Sequence, residues 1–386
     1  MIDDGRAYGR PTGTFDSELV AVGAGTIGGE LLRRYWQPFA RSAEATPRPT
    51  NVRMLNEDLV LFRDGRGRPG LVTPRCCHRG TTLYYGRVED DGIRCCYHGW
   101  LFDVEGRCLD QPCEPRRGEQ RDRFRQPWYP VRELHGLLFT YMGPPDRQPV
   151  FPRYDIFEDL GPDEVAVIDH FAFGGPVVAP CNWFQTHENA MDAYHVFILH
   201  NAISGPQFHP DLQNWPSVSW RLTPNGVASE QVRPLADGRT LRRVTEIRVP
   251  NVRVIPTPTL SVLGKTNNLS WAVPIDDTTT KVYALVRVAE GASVQGLPVY
   301  DGTRSWFELD EEEHQRFPGD YETQVGQGPI TLHSDEHLAS SDRGVSMVRR
   351  QFRAEAQRVA EGFDPVGVAF NDADAVVTLE AGNYVS

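Results

Sequence analysis

Positive charge is what this sequence lacks first. Forty lysine and arginine residues stand against 52 aspartates and glutamates, a formal net charge of −12, and lysine occurs only at 265 and 281. Nucleic-acid phosphates need a basic surface, so this balance argues against nucleic acid as a ligand. The arginine bias fits genome composition and carries no functional reading. Apolar runs long enough to span a bilayer are missing too. The N-terminal "MIDDGRAYGRPTGTFDSE" has neither the basic start nor the apolar core of a secretory signal, so the expected location is the cytoplasm, where thiols stay reduced. Seven cysteines are an odd count, which suits a disulfide framework poorly. No internal repeat is present. The glycine-rich "GAGTIGGE" at 23–30 follows no strand and misses the GxGxxG spacing, so no nucleotide-binding signature is present.

What is present fits a soluble two-domain enzyme of α+β class. At 386 residues, 40% hydrophobic, the chain can bury two cores. Residues 23–36 read as a short helix ending before Pro38, with Ile27, Leu31 and Tyr35 or Trp36 on one face. From 38 to 150 short β runs ("NVRML", "DLVLFRD", "GLVTPR", "GLLFTYMG") alternate with turn residues at hairpin spacing. "PPDRQPVFP" at 144–152 reads as a boundary. Beyond it "EVAVIDHFAF", "GVASEQVRP", "LRRVTEIRVPNVRVIPT", "NLSWAVPI" and "KVYALVRVA" predict an antiparallel sheet, and "CNWFQTHENAMDAYHVFILH" (181–200) a helix. Near the C-terminus Val345, Val348, Phe352, Ala356 and Val359 fall at helical spacing, with Asp342 as the expected cap and Gly362 and Pro365 as the stop.

Two constellations carry chemistry. The first is "PRCCHRGTTLYYGRVEDDGIRCCYHGW" (74–100). It contains Cys76-x-His78, sixteen intervening residues, and Cys95-x-x-His98. Two thiolates and two imidazoles on two loops can build a tetrahedral zinc site or an iron–sulfur cluster. Zinc knuckles ordinarily use gaps of two to four residues on both sides, whereas the first gap here is one. The second is "ENAMDAYHVFILH". Asp192 lies three residues before His195 on the same helical face. His195 and His200 are five apart, which on a regular helix diverges by about 140°, so shared coordination needs the helix to end or distort between them. Asn201 and Gly205-Pro206 suggest an end.

These runs resemble the Rieske non-heme iron aromatic-ring-hydroxylating oxygenases. "CCHRGTTL" and "CCYHGW" look like the loops of a Rieske [2Fe–2S] centre, in which Cys76 and Cys95 would bind one iron and His78 and His98 the other. Using Cys77 would leave no spacer before His78, so Cys77 and Cys96 are expected to be buried free thiols beside the cluster, with Trp100 packing beneath it. Asn182, Trp183, Glu188, Asn189, Asp192, His195 and His200 match the family's mononuclear-iron segment. By that resemblance His195 and His200 bind non-heme Fe(II) together with a distant carboxylate, and Asn189 and Asp192 are the catalytic residues. Asp192 would link an iron-ligand histidine to a Rieske histidine of a neighbouring subunit. Asp320, followed by Glu322 and Gln324, is the leading third ligand. Glu322, Asp335, Asp372 and Asp374 are its rivals.

The resemblance extends to "LLRRYWQPFA" and to the "EHL…D" stretch at 336–342, which is similar to the phthalate-dioxygenase-like group of α subunits. It implies an N-terminal helical segment (1–37) packed on the catalytic domain, an all-β Rieske domain (38–150), and a helix-grip, START-like catalytic domain (151–386). It further implies O2 and a small aromatic substrate, a separate NAD(P)H-dependent flavin/iron–sulfur reductase, and a homotrimer or a multiple of one. The reaction would be hydroxylation, dihydroxylation or demethylation. The alternatives are a Rieske-type electron carrier without oxygenase activity and a zinc-stapled binding protein. The substrate pocket is expected between the iron helix and the sheet, walled by "NAISGPQFH" (201–209) and strands in 250–275. A carboxylate-bearing substrate would call for an arginine, with Arg253 and Arg287 the candidates.

Overall fold

The computed structural model describes residues 7–386 except 117, 173, 206, 293 and 295–303. Pro206, the expected partner of Gly205 in stopping the iron helix, and Phe173 fall outside the described residues. The N-terminal segment forms two short helices, Ser17–Val20 and Ile27–Arg33. Each starts on a side-chain cap: Asp16 accepts from the Glu18 N–H at 3.0 Å and Thr26 from the Gly29 N–H at 3.1 Å. The second helix stops before Tyr35, earlier than expected, yet Leu31, Tyr35 and Trp36 are all buried. Gly28 lets it lie close to the C-terminal helix: a Cβ there would come within 3.4 Å of the Phe352 ring and 2.9 Å of the Glu18 carbonyl.

Between 37 and 140 the chain builds three small antiparallel sheets. In one, Thr50–Met54 and Glu57–Arg63 form a hairpin whose tip is Leu55-Asn56, at φ 49° and 64°. Both central residues in the left-handed region mark a tight turn that matches strand twist. The left-handed strain at Leu55 is tolerated because the tip is docked. The Leu55 and Asn56 N–H groups donate to Pro274 and Ile275 carbonyls at 3.1 Å, and Asn56 Nδ2 donates to Asp277 Oδ1. This lobe is thereby locked onto the second. A shared core, in which Phe139 meets Trp271 edge-on at 5.3 Å, continues across the junction.

The second lobe is a ten-stranded curled sheet, all antiparallel in its pairings. The runs predicted from sequence become Glu164–Ile168, Gly226–Pro234, Thr240–Arg248, Val252–Val254, Asn268–Asp276 and Thr279–Ala289. The helix Arg343–Ala360 packs on this sheet in helix-grip fashion. Val345, Val348, Phe352, Ala356 and Val359 are all buried, and each large side chain so buried contributes roughly 1.5–3 kcal/mol. Asp342 sits at its N-cap position without capping it, because its carboxylate takes the Ala339 N–H at 2.7 Å instead. Gly362, at φ 88°, ends the helix as expected. No helix among the described residues is long and apolar enough to cross a membrane.

Candidate metal centres

The two Cys/His loops are built alike. In each, the cysteine carbonyl accepts from a glycine four residues on, Gly80 N–H to Cys76 at 2.8 Å and Gly99 N–H to Cys95 at 3.1 Å. Both glycines have positive φ (79° and 73°), which is why glycine is needed there. The Cys76 N–H then donates to Thr81 and the Cys95 N–H to Trp100, closing each loop. Cys76 and Cys95 are each 3% exposed, and burial, with Cys95 alongside, pushes the Cys76 thiol up to about 12. His78 and His98 face each other edge-on, centroids 4.6 Å apart, and His78 stacks on Trp100 at 4.4 Å. Trp100, 4% exposed, thus packs beneath the two Cys/His loops. His98 Nδ1 is buried without a hydrogen-bond partner. A buried ring nitrogen left bare in this way is costly unless it binds something.

Cys77 and Cys96 are exposed, a correction to the burial expected of them. Cys77 is turned out by its own N–H, which donates to the buried Gln126 Oε1 at 2.8 Å. Arg94 anchors the second loop through Gly99 O at 2.5 Å, Asp110 Oδ2 at 2.8 Å and Glu89.

In the second lobe the stretch 181–200 is not one helix. It runs as an α-helix over Trp183–Glu188, a 3-10 turn over Asn189–Met191, a break at Asp192 (ψ 103°), an α turn at His195–Phe197 and a π-helix over Ile198–Ile203. The helix therefore continues past Asn201 and distorts rather than ends. The Ser204 N–H donates to Leu199 O, an i→i+5 bond. Such a turn brings residues five apart toward one side, and π segments of this kind recur at functional sites. His195 and His200 converge, rings 5.4 Å apart.

Asp320, first residue of the helix Asp320–Gly326, completes the group. Its Oδ1 lies 3.5 Å from His195 Nε2 and its Oδ2 3.5 Å from His200 Nε2, and the three donor atoms all fall within 4.8 Å of one another. The other acids lie elsewhere. Glu322 takes the Gly319 N–H, His314 and the Trp306 indole, Asp335 sits against Gly13, and Asp372 and Asp374 occupy an exposed C-terminal turn. Burial alone would raise the Asp320 carboxyl. Positive charge on His200 and His195 when those rings are doubly protonated, together with the Asn189 amide, outweighs it and holds the group well below the usual carboxylate range. Asp320 Oδ1 accepts from both Asn189 Nδ2, at 2.9 Å, and Gln324 Nε2, at 3.3 Å.

Each histidine is oriented through its other nitrogen. His195 Nδ1 contacts the Asp192 main-chain oxygen and His200 Nδ1 the Gln207 Oε1, both at 2.6 Å. Both partners can only accept, so each ring, when neutral, carries its hydrogen at Nδ1 and presents a bare Nε2. His200 Nε2 is buried and unpartnered. The bond from Asp192 to His195 therefore runs through the main chain. The Asp192 carboxylate accepts from the main-chain N–H groups of Tyr194 at 3.0 Å and His195 at 3.4 Å, and its Oδ2 stays 3.8 Å from the His195 ring. Gln207 and Phe208, which stacks on His200 at 3.9 Å, fall within the 201–209 stretch expected to wall the pocket, but their support of the His200 ring was not foreseen. They follow a turn at Ser204-Gly205, so no periodicity in the sequence points to them.

The cluster opens into a cavity of about 520 Å³ between these helical turns and the concave face of the sheet, lined by 201–209 residues such as Gln207 and by Ile255 and Ser270. Of the arginines, Arg243 borders it. Arg253 instead donates to Thr186 O, and Arg287 pairs with Glu164.

Two buried thiols beside two half-buried imidazoles in one lobe and a His–His–carboxylate cluster facing a cavity in the other are the parts of a two-centre redox enzyme. The family model of the Rieske [2Fe-2S] domain matches residues 35–134. The chain is 49% identical to the phenoxybenzoate dioxygenase subunit alpha of Ectopseudomonas oleovorans, over 98% of this chain and 94% of that one. It is 36% identical to the tert-butanol monooxygenase / tert-amyl alcohol desaturase oxygenase subunit of Aquincola tertiaricarbonis, over 92% and 79%. The crystal structure of dicamba monooxygenase bound to dicamba shares the fold, with a TM-score of 0.60 at 16% identity over 86% of this chain and 99% of that one. The chain belongs to the Rieske non-heme iron oxygenases, as an oxygenase (α) subunit. The cofactors that go with that membership are a [2Fe–2S] cluster and a mononuclear iron, and the bare, buried His98 Nδ1 and His200 Nε2 fit them.

Proposed function

We propose that Cys76, Cys95, His78 and His98 hold the [2Fe–2S] cluster, that His195, His200 and Asp320 hold the mononuclear iron, and that residues 1–37, 38–150 and 151–386 are the three structural units. The observation that carries this reading is the convergence of His195 Nε2, His200 Nε2 and the Asp320 carboxylate at the cavity wall. The donor set is the two-histidine, one-carboxylate face that leaves positions open for oxygen. Bound there, iron would supply oxygen activation, and the cluster would supply electrons one at a time.

The chain's own residues do the positioning. Asp192 O and Gln207 Oε1 fix the histidine tautomers. Asn189 and Gln324 hold Asp320 Oδ1, and Phe208 limits the swing of the His200 ring. The cavity receives a small organic molecule and excludes bulk water around the reacting carbon. An aromatic substrate fits the cavity, and the most similar of the relatives above carries phenoxybenzoate in its name. The product is a hydroxylated, dihydroxylated or demethylated molecule. Electrons come from a separate NAD(P)H-fed flavin/iron–sulfur reductase. In a homotrimer or a multiple of one, Asp192 carries the coupling from one subunit's His98 to the next subunit's His195, and its half-buried carboxylate, 33% exposed, leaves that path open.

The test is substrate-dependent oxygen uptake with a surrogate reductase. His195→Ala and His200→Ala should abolish oxygenation while the cluster spectrum survives. Unchanged turnover would favour an electron carrier.

A further inference from the structure

The sheet wall of the cavity holds the Arg243 guanidinium where an apolar floor would be expected, and a second buried guanidinium, Arg233, lies on the same sheet face outside the cavity lining. Gln231 and Arg243 are directly opposed in register across the strands Gly226–Pro234 and Thr240–Arg248, and both border the cavity. Arg233, two residues along from Gln231, lies on the same face. Arg243 is 3% exposed and Arg233 fully buried. A buried arginine is ordinarily paired with a carboxylate. Here Arg243 donates only to neutral oxygens: Thr257 O at 3.2 Å, Pro256 O at 2.5 Å and Asn383 Oδ1 at 2.7 Å. A guanidinium has five N–H groups, so donors remain. Arg233 bonds Asn214 O and Gln231 Oε1, and its Nη1 is buried with no partner.

Among the described residues no carboxylate neutralises either one. Glu246 on the opposite face pairs with Arg248. Asp169, at the cavity edge, accepts from the Phe171 N–H, and burial pushes its carboxyl up toward the neutral form. Burial, and for Arg243 also its neighbour Arg233, lowers both guanidinium pKa values, Arg243 to about 9 and Arg233 to about 10. The wall therefore carries uncompensated positive charge inside a protein of net charge −12. Gln231 gives its oxygen to Arg233, which leaves its amide N–H groups as further donors.

Resting on the reading of this cavity as the substrate site, we infer that Arg243, backed by Arg233 and Gln231, is an anion subsite that selects substrates bearing a carboxylate. The planar fork of Arg243 matches a carboxylate, and desolvation makes such a charge-assisted bond strong. The carboxylate would supply the missing negative charge and point the rest of the molecule toward His195, His200 and Asp320 on the helical wall. Membership of the family does not dictate this, since the tert-butanol monooxygenase named above takes its name from an uncharged alcohol.

The experiment is anaerobic calorimetric binding to the holoenzyme, with benzoate and phenoxybenzoate each compared with its primary amide. One charge-assisted pair predicts that at least one acid binds about 30-fold more tightly than its amide. Arg243→Gln should bring that ratio close to one, and Arg243→Lys should keep part of it. An arginine that merely ties the sheet to the C-terminal strand would leave the ratio untouched in any folded variant. Amides that bind the wild-type enzyme as tightly as the acids, or acids that do not bind at all, overturn the inference without any variant. Oxygen uptake separates the two readings. Uptake with amides but no acid preference sinks only the subsite, whereas acid preference without uptake keeps the subsite and sinks the oxygenase reading.

Discussion

His200 Nδ1 and Gln207 Oε1 stand 2.6 Å apart, both side chains buried, and this one bond decides which face of His200 is offered to a metal. An amide oxygen can only accept, so the ring proton stays on Nδ1. Gln207→Leu keeps the volume but frees the tautomer. We expect metal affinity at the His195–His200–Asp320 site to fall 10- to 100-fold, read by titrating apoprotein with Fe(II) or Co(II), as removal of such supporting bonds typically gives. An unchanged affinity would show that Gln207 does not orient the ring.

Asp192 separates two roles within one residue. Its main-chain oxygen holds His195 Nδ1, and its carboxylate does not. Asp192→Asn should therefore retain both metal centres and still lose electron delivery to the mononuclear iron. The check is single-turnover product yield from enzyme with a pre-reduced cluster. A wild-type yield would remove the carboxylate from the electron path.

Four of the cysteines divide by burial. Cys76→Ala or Cys95→Ala should abolish the visible spectrum of the cluster, while Cys77→Ala and Cys96→Ala, at exposed positions, should leave it intact. A colourless Cys77 variant would mean that the reading frame of the ligands is wrong.

Arg94 sets an acid limit on the cluster lobe. Hydrogen bonds from Arg94, more than those from Arg87, hold the Glu89 carboxyl down to about 2 from an ordinary 4.5. A depressed carboxyl stabilises the fold above its unfolded pKa, and that contribution fades as pH falls from about 4.5 toward 2. Arg94→Met should flatten this part of the melting-temperature profile. It should also loosen the Gly99 loop, seen as faster bleaching of the cluster at neutral pH. Identical profiles and bleaching rates in the two proteins would contradict the assignment.

Much of the scaffold could be read from the residues alone, because strand alternation and the Val345–Val359 stripe are local signals that packing then reinforces. The Cys76/His78 and Cys95/His98 pairs were legible for a different reason: each pair sits on one short loop with a glycine four residues after the cysteine. Asp320 was reachable only through resemblance, since its pairing with a site more than a hundred residues away leaves no local trace. The π turn at Ile198–Ile203 was foreseen only as a need for distortion. Nothing in "ILHNAI" distinguishes an i→i+5 bond from an ordinary helix end. The sequence points to Arg253 and Arg287 rather than to Arg243, which borders the cavity. Alternation along the strand does place Arg243 beside Thr245 and opposite Gln231, but which face lines a cavity depends on the curl of the whole sheet. Exposure of Cys77 likewise depends on Gln126, 49 residues away.

The most direct test of the account is elemental analysis combined with electron paramagnetic resonance on the dithionite-reduced protein. Two filled centres predict about three irons and two acid-labile sulfides per chain, with a Rieske-type signal. They further predict that Asp320→Ala lowers the iron to about two per chain while the signal stays unchanged. Zinc in place of iron, or two irons per chain in both proteins, would contradict this.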